Sequence, residues 1–231
     1  MESTSYNDLK PRRELEFTPL GEGYIAFQQR VNGMNTCYHR WVQTHGLNIL
    51  VHPAVYPPSE DTFLLLEAVE QELNKGDYNS GLEVGSGSGL IAVYMAKRLD
   101  RVVAVDKNPY AVKCTLLNAY INGVRRRLKV LESDLFEKIG SEKFDLIVFN
   151  PPYLPPEEGV MDEVQGGIPL IERFLKEAGF HLTRKGRILF VSSSLTPVED
   201  VFSLLEQNNY RYEIVSKREF FMEEIFVIKA F

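Results

Sequence analysis

A proline-rich corner is the segment with the most specific chemical pattern in this sequence. Residues Asn150-Pro-Pro-Tyr153 directly follow an apolar run at 144–149 that is typical of a buried strand. Asn150 and Pro151 both precede a proline, which holds them away from helical angles, and neither Pro151 nor Pro152 has a backbone N–H. The sequence therefore predicts a stiff, extended corner that presents two acceptors, the Asn150 side-chain oxygen and the Pro151 carbonyl.

Two adjacent acceptors match one planar –NH2 group, which has two N–H donors. Binding both hydrogens fixes the nitrogen and leaves its lone-pair face open to an incoming electrophile. Such a nitrogen is a weak nucleophile because its lone pair is delocalised, so the task of the protein is alignment and the exclusion of water. The acceptors also stabilise the positive charge that develops on nitrogen, and Tyr153 can stack on the flat group. No separate general base is required.

A glycine-rich loop indicates a nucleoside site. Residues 83–89 read Glu-Val-Gly-Ser-Gly-Ser-Gly, between a strand-like run and a helix-like run. Asp106 ends the next strand, about 20 positions after Gly85, where an acid can accept from two ribose hydroxyls. Asp134 ends a third strand. Each acid alone is equally typical of a helix cap or a solvated loop, but the ordered set favours a ligand. Leu90 departs from the dinucleotide fingerprint, which has a small residue there.

Strands and helices must alternate to place these segments together. The pattern predicts strands at 81–84, 101–105, 128–131, 144–149, 187–191, 210–215 and 225–231, and helices at 90–98, 109–122, 170–182 and 198–207. Such alternation predicts an α/β fold with a mostly parallel seven-stranded sheet and helices on both faces. Ligands then bind at the carboxyl ends of the strands. The last two strands have no helix between them, so one of them is expected to be antiparallel.

The first part of the chain has a different character. Asn32-Gly33 separates two strand-like runs, which is a strong hairpin signal. We predict a β-rich N-terminal extension at residues 1–52 and a larger α/β domain at residues 53–231. Ser59 is expected to cap a helix whose first turn contains Glu60 and Asp61.

Composition limits the function classes. The chain has 231 residues, of which 44% are hydrophobic, and its net charge of -6 argues weakly against a nucleic-acid partner. Its two cysteines are far apart in the sequence and form no CxxC pair, so neither a disulfide framework nor a metal site is expected. No apolar run reaches membrane-spanning length, and a cytoplasmic protein that binds no membrane is the expectation.

Five segments together resemble the Asn-Pro-Pro-Tyr methyltransferases of the HemK/PrmC group. The likeness is greatest to the short archaeal and eukaryotic branch, which methylates the glutamine of the Gly-Gly-Gln motif in class I peptide-chain release factors. The segments are 56–67 (YPPSEDTFLLLE), 82–89 (LEVGSGSG), 106–109 (DKNP), 133–135 (SDL) and 149–153 (FNPPY).

The resemblance implies a Rossmann-like class I methyltransferase fold and S-adenosyl-L-methionine as the cofactor. It implies that Thr62 lies near the methionine carboxylate, that Asp106 binds the ribose, and that Asp134 and the Leu135 N–H meet the adenine. Asn150 is implied to contact both the cofactor and the substrate amide. The cofactor residues that it implies are Thr62, Glu83, Gly85, Gly87, Gly89, Asp106, Asn108, Asp134, Leu135 and Asn150. The catalytic residues are Asn150, Pro151, Pro152 and Tyr153.

Three functions remain open from the sequence. The favoured one is a glutamine-N5 methyltransferase acting on a release factor or a similar protein. The alternatives are an adenine-N6 or guanine-N2 methyltransferase of RNA or DNA and a non-catalytic binding subunit with the methyltransferase fold. Some members of the branch work with a small zinc-ribbon activator protein, which we carry over as a possible partner. The sequence departs from the branch in its first 50 or so residues and in the acidic loop 154–165.

Overall fold

The computed structural model describes residues 40–153, 167–220 and 222–231, together with the backbone of three N-terminal strands. These strands are β1 (Glu16–Pro19), β2 (Ile25–Val31) and β3 (Met34–Tyr38), and they form one antiparallel sheet. Val31 pairs with Met34, which confirms the hairpin predicted around Asn32-Gly33. The acidic loop 154–165 lies outside the described residues.

The main sheet has seven strands in the order β11-β12-β10-β9-β6-β7-β8. The strands are β6 (Ser80–Val84), β7 (Arg101–Asp106), β8 (Leu128–Glu132), β9 (Phe144–Phe149), β10 (Leu182–Ser193), β11 (Tyr212–Phe220) and β12 (Glu223–Ala230). Strands β6 to β10 pair with one another in parallel, and β12 is antiparallel to both β10 and β11. The predicted sheet, including one antiparallel strand near the end of the chain, is confirmed.

Helices cover both faces of this sheet. The helices are α1 (Glu60–Lys75), α2 (Leu90–Arg98), α3 (Pro109–Ile121), α4 (Gly167–Ala178) and α5 (Val198–Gln207). The first three pack in one apolar cluster and the last two in another. Within β9, Leu146 and Val148 contact the first cluster and Ile147 and Phe149 the second, as the alternation of side chains along a strand requires. None of the described helices is long and apolar enough to span a membrane.

Helix α4 differs from its predicted bounds of 170–182. It begins at Gly167 and ends at Ala178, where a 3-10 turn (Gly179–His181) leads directly into β10. Pro169 is tolerated because it lies in the first turn, where its missing N–H has no intrahelical partner to lose. The prediction began after this proline and continued through the 3-10 turn to Leu182, the first residue of β10.

A second hairpin, β4 (Arg40–Thr44) and β5 (Leu47–Val51), packs against helix α3 through two asparagine side chains. Asn118 donates to the Leu50 carbonyl at 2.8 Å and accepts from the Leu50 N–H at 2.9 Å. Asn122 makes the same pair of bonds to the backbone of Asn48, at 2.8 and 2.9 Å. The two side chains therefore satisfy one edge of β5 as a neighbouring strand would.

Strand β5 also contributes to the core of the α/β unit. Leu47, Ile49, Leu50 and Val51 are buried in the cluster that contains α1, α2 and α3. The division of the chain at residue 52 stays a prediction.

Candidate active site

A cavity of about 260 Å³ opens at the carboxyl ends of β6, β7, β8 and β9. All four predicted catalytic residues line it, and so does every predicted cofactor residue except Gly89. The strands bring these segments together because parallel neighbours end at the same edge of the sheet.

Two glycines of the loop allow a ligand to come close to the backbone. Gly85 has a φ of +65°, and a Cβ there would lie 3.2 Å from the Phe149 ring, so the missing side chain lets the loop lie against the end of β9. Gly87 has a φ of +51° and open space where its Cβ would be. Both angles lie in the left-handed region that glycine adopts at little cost.

The structure shows a packing role for Gly89. Its φ is +78°, and a Cβ there would lie 2.7 Å from the Thr115 side chain. The glycine therefore permits close packing of the loop against helix α3, and it does not line the cavity. The regular spacing of the three glycines hides this difference between them.

Asp106 lies at the end of β7, where the sequence placed the ribose acid. Its carboxylate accepts from the Gly87 N–H and from the Asn108 N–H, both at 2.8 Å. Burial raises the pKa of this carboxyl, and the two backbone N–H groups act in the opposite direction. Each carboxylate oxygen still has a free lone pair, so the group can accept from two hydroxyls as well.

Glu83 is a buried carboxyl at the end of β6. Its Oε2 accepts from the Ala92 N–H in the first turn of α2 at 2.8 Å. Burial raises the pKa of Glu83 well above its usual range, although this hydrogen bond lowers it. The group lines the cavity, so a ligand cation or N–H donor beside it would favour its charged form.

Replacing Glu83 with glutamine is expected to stabilise the cofactor-free protein at about pH 8 and much less at about pH 5. The folded-state pKa is raised, so the folded wild type holds a proton that the unfolded chain loses near pH 4.5, and its stability falls as the pH rises. Thermal unfolding at both pH values measures this, with Glu132→Gln on the exposed end of β8 as the control. An equal gain at both pH values would contradict the prediction.

Asp134 and Leu135 line the cavity beyond β8. Asp134 forms an ion pair with Arg173 of α4 at 3.1 Å, between two exposed side chains. Leu135 is buried with a φ of +44°, a left-handed angle that costs a non-glycine residue energy. This strained backbone lies where the resemblance implies a contact with adenine.

Thr62 and Asn108 also line the cavity, and their side chains already have partners within the protein. The Thr62 Oγ1 donates to Asp61 at 3.3 Å and accepts from the Ser59 N–H at 3.4 Å. The Asn108 side chain accepts from the Tyr110 N–H at 2.9 Å and donates to the Ala54 carbonyl at 2.8 Å. Asn108 therefore caps α3 and tethers the segment that precedes α1.

The Asn150 side chain is held by a carboxylate from helix α1. Its Nδ2 donates to Asp61 Oδ2 at 3.0 Å, and Asp61 is 5% exposed. Asp61 Oδ1 in turn accepts from the Thr62 N–H at 2.7 Å. An ionised carboxylate only accepts hydrogen bonds, so the amide must turn its nitrogen toward Asp61 and its oxygen away.

The Asn150 oxygen is left without a partner by this arrangement. Oδ1 is buried and accepts no hydrogen bond from any residue that the structure describes. A buried unpaired acceptor costs about 1–3 kcal/mol, and such an atom calls for an explanation such as a ligand donor. The predicted acceptor is therefore present, oriented and unpaired on the wall of the cavity.

The rest of the corner is fixed through its backbone. The Gly167 N–H donates to the Pro152 carbonyl at 3.0 Å, and Thr196 Oγ1 donates to the Tyr153 carbonyl at 2.6 Å. Burial raises the pKa of the Tyr153 phenol, and the negative charges of Asp61 and Glu223 raise it further. Tyr153 is therefore a neutral, half-buried ring, suited to stacking on a flat group.

The sequence did not identify Asp61, Arg173 or Thr196 as residues of the site. Asp61 lies in the segment 58–62, which is part of the family resemblance. Its charge was interpreted only as one that suits the N-terminus of a helix. Nothing in the sequence indicates that Arg173 and Thr196, from elements after the corner, approach the cavity.

Replacing Asp61 with asparagine is expected to lower kcat about tenfold, because a charge-assisted hydrogen bond is roughly twice as strong as a neutral one. The new amide could also face Asn150 with either its oxygen or its nitrogen, so the acceptor would no longer be fixed. Cofactor affinity is expected to change little. Steady-state kinetics and calorimetry measure both, with Glu60→Gln in the same helical turn as the control. A kcat equal to that of Glu60→Gln would contradict the positioning role.

The fold and the cavity are those of a class I methyltransferase. The cavity is lined by the glycine loop after β6, by Asp106 at the end of β7, by Asp134 and Leu135 after β8, and by the acceptor residues Asn150 and Pro151 after β9. The open space at Gly87 fits an adenosine-containing cofactor, and the unpaired Asn150 oxygen fits a substrate amide.

Comparison with known proteins identifies the family. The sequence model of the methyltransferase small domain matches residues 47–222. The chain therefore belongs to this family, and it is an S-adenosyl-L-methionine-dependent methyltransferase, as predicted. A Methanocaldococcus jannaschii protein whose name includes protein N5-glutamine methyltransferase is 36% identical over 199 residues, covering 82% of this chain and 98% of the relative.

Two further relatives confirm the resemblance to the HemK/PrmC group. A release factor glutamine methyltransferase of Geobacter sulfurreducens is 41% identical over 113 residues, which cover 48% of this chain and 38% of the relative. The chain thus spans under half the length of that bacterial protein. The E. cuniculi Mtq2–Trm112 complex, described as methylating the eRF1 translation termination factor, matches with a TM-score of 0.58 and 27% identity, over 76% of this chain and 97% of that one.

Proposed function

We propose that this protein methylates the N5 nitrogen of a glutamine side chain in a peptide-chain release factor. The observation that carries the proposal is the buried, unpaired Asn150 oxygen, which Asp61 holds on the wall of the cavity. A primary amide supplies the N–H donor that this oxygen lacks. The names of the relatives support the choice of a protein glutamine.

In this proposal the two acceptors of the corner bind and align the target amide. Asn150 Oδ1 and the Pro151 carbonyl accept the two N–H groups of the target amide and leave the lone-pair face of its nitrogen free. S-adenosylmethionine, when bound, supplies a methyl group that its sulfonium activates for transfer. The acceptors stabilise the positive charge that develops on nitrogen, Tyr153 stacks on the amide, and one N–H proton leaves after transfer.

The predicted cofactor residues divide by the part of the cofactor that they would hold. Asp106 would accept from the ribose hydroxyls, and Asp134 with the Leu135 N–H would meet the adenine. Thr62 and Glu83 would lie at the methionine end, beside Gly85 and Gly87. Asn108 would act through the tether to Ala54, because its side-chain amide is already bonded at both ends.

A small zinc-ribbon activator protein is a proposed partner. The E. cuniculi neighbour was solved with Trm112. In this chain β8 is the last strand of the sheet on its side, and within the described residues no strand pairs with its outer edge. An unpaired edge strand can accept a strand from another chain.

One experiment separates the candidate substrates. The protein is incubated with methyl-labelled S-adenosylmethionine and, in parallel reactions, with a release factor, total RNA or DNA. Label on the glutamine amide of the release factor is expected, with a stronger signal if a Trm112-like protein is added and the activator is needed. Label on RNA or DNA alone would overturn the proposal in favour of an adenine-N6 or guanine-N2 methyltransferase.

A further inference from the structure

The tip of the β11–β12 hairpin is joined to the catalytic corner through the loop after β10. The Ser194 N–H donates to the Glu224 carbonyl at 2.8 Å, and the Glu224 N–H donates to Ser194 Oγ at 2.9 Å. Two residues further along the same loop, Thr196 Oγ1 donates to the Tyr153 carbonyl at 2.6 Å. These bonds fix the hairpin tip, the loop and the corner relative to one another.

Large apolar side chains are exposed on this unit. Leu195 is 47% exposed in the loop, and Met222 is 80% exposed at the hairpin tip. Each lies within two residues of the Ser194–Glu224 pair. Together with Glu223 they form what we call the rim surface. Exposed apolar side chains grouped beside a catalytic site are typical of a binding surface.

Glu223 has an acceptor that lacks a donor. Its Oε1 is buried, and no group within the described ranges donates a hydrogen bond to it. Its negative charge acts on both Tyr56 and Tyr153, which line the cavity, so the carboxylate lies close to the cavity mouth. A buried carboxylate oxygen without a donor is costly, and a ligand N–H at this position removes the cost.

We propose that the rim surface binds the stretch of polypeptide next to the target glutamine, with Glu223 accepting an N–H from that stretch. This inference rests on the proposed function and adds the place where the substrate chain lies. A polypeptide fits the three residues because it offers apolar side chains for Leu195 and Met222 together with backbone or basic N–H donors for the carboxylate. A nucleic acid does not fit, because its phosphates would face the negative charge of Glu223.

The test compares methyl transfer to an intact release factor by four forms of the full-length protein. They are the wild type, the double variant Leu195→Ser/Met222→Ser, Glu223→Gln, and the control Ile214→Ser. Ile214 is a matched control because it is 48% exposed, like Leu195, and lies on β11 far from the hairpin tip. Cofactor affinity of each form is measured by calorimetry.

The double variant is expected to raise KM for the release factor about tenfold, which is the effect of losing apolar contacts at a binding surface. Glu223→Gln is expected to raise it several-fold, whereas kcat and cofactor affinity stay within twofold of the wild type. Ile214→Ser is expected to match the wild type. A KM that stays unchanged in both rim variants, while the wild type methylates the release factor, overturns the rim surface alone. A wild type that binds the cofactor but transfers nothing to the release factor, even when a Trm112-like protein is added to every reaction, overturns the proposed function and the rim surface with it.

Discussion

Replacing Asn150 with alanine is expected to lower kcat for methyl transfer by about a hundred- to a thousandfold, the usual effect of removing one group that stabilises developing charge. The variant would lose the acceptor that holds one N–H of the target amide, and the nitrogen would no longer be aligned. Cofactor affinity is expected to stay within a few-fold, because the loop, Asp106 and Leu135 are unchanged. Single-turnover transfer and calorimetry measure the two effects separately.

The control for this variant is Asn79→Ala. Asn79 is exposed just before β6, at the opposite end of the sheet from the cavity. The control is expected to retain wild-type turnover. Undiminished turnover by Asn150→Ala would exclude the proposed role of the corner. A loss of cofactor binding equal to the loss of turnover would indicate that Asn150 acts on the cofactor alone.

Replacing Asp106 with alanine is expected to weaken cofactor binding by about a hundredfold or more, since each hydrogen bond to a charged group contributes about 1.5–3 kcal/mol. Two effects combine in this variant. The acceptor for the ribose is lost, and the Gly87 and Asn108 N–H groups lose the carboxylate that holds the loop and the start of α3 in place. Turnover at saturating cofactor is expected to be largely retained.

Calorimetry of the cofactor-free protein measures this affinity, with Asp100→Ala as the control. Asp100 is exposed at the other end of the same strand, just before β7. Its replacement is expected to leave the affinity unchanged. An Asp106→Ala protein that binds the cofactor as tightly as the wild type would contradict the ribose assignment.

Local patterns were sufficient to predict most of the fold. The bounds of α2, β9 and α5 match the prediction, because each of these elements is delimited by its own apolar pattern. Helix α4 did not match, since Pro169 was treated as preceding the helix rather than as part of its first turn. Strand β11 also extends further than predicted, to Phe220, because its pairing with β12 and not its own composition sets its length.

The site was predictable where a residue follows its own strand. Asn150, Asp106 and Glu83 could be placed because each lies at or next to the carboxyl end of a strand of the parallel sheet. The Asp61–Asn150 bond joins residues 89 positions apart, and the contact of Gly89 with Thr115 depends on how α3 packs. Such contacts depend on the relative placement of whole elements, which no local pattern encodes.

Asn118 and Asn122, the two asparagines near the end of α3 that bond to β5, limit how far the protein can be shortened from its N-terminal end. A protein that started at Tyr56 would lack β5, so the side-chain oxygens of Asn118 and Asn122 would lose their donors. The leucine and isoleucine contacts that β5 makes with the core would also be lost. We expect this shortened form to melt at a lower temperature and to self-associate, as light scattering would detect. Such a result would assign strand β5 to the folding unit of the catalytic domain.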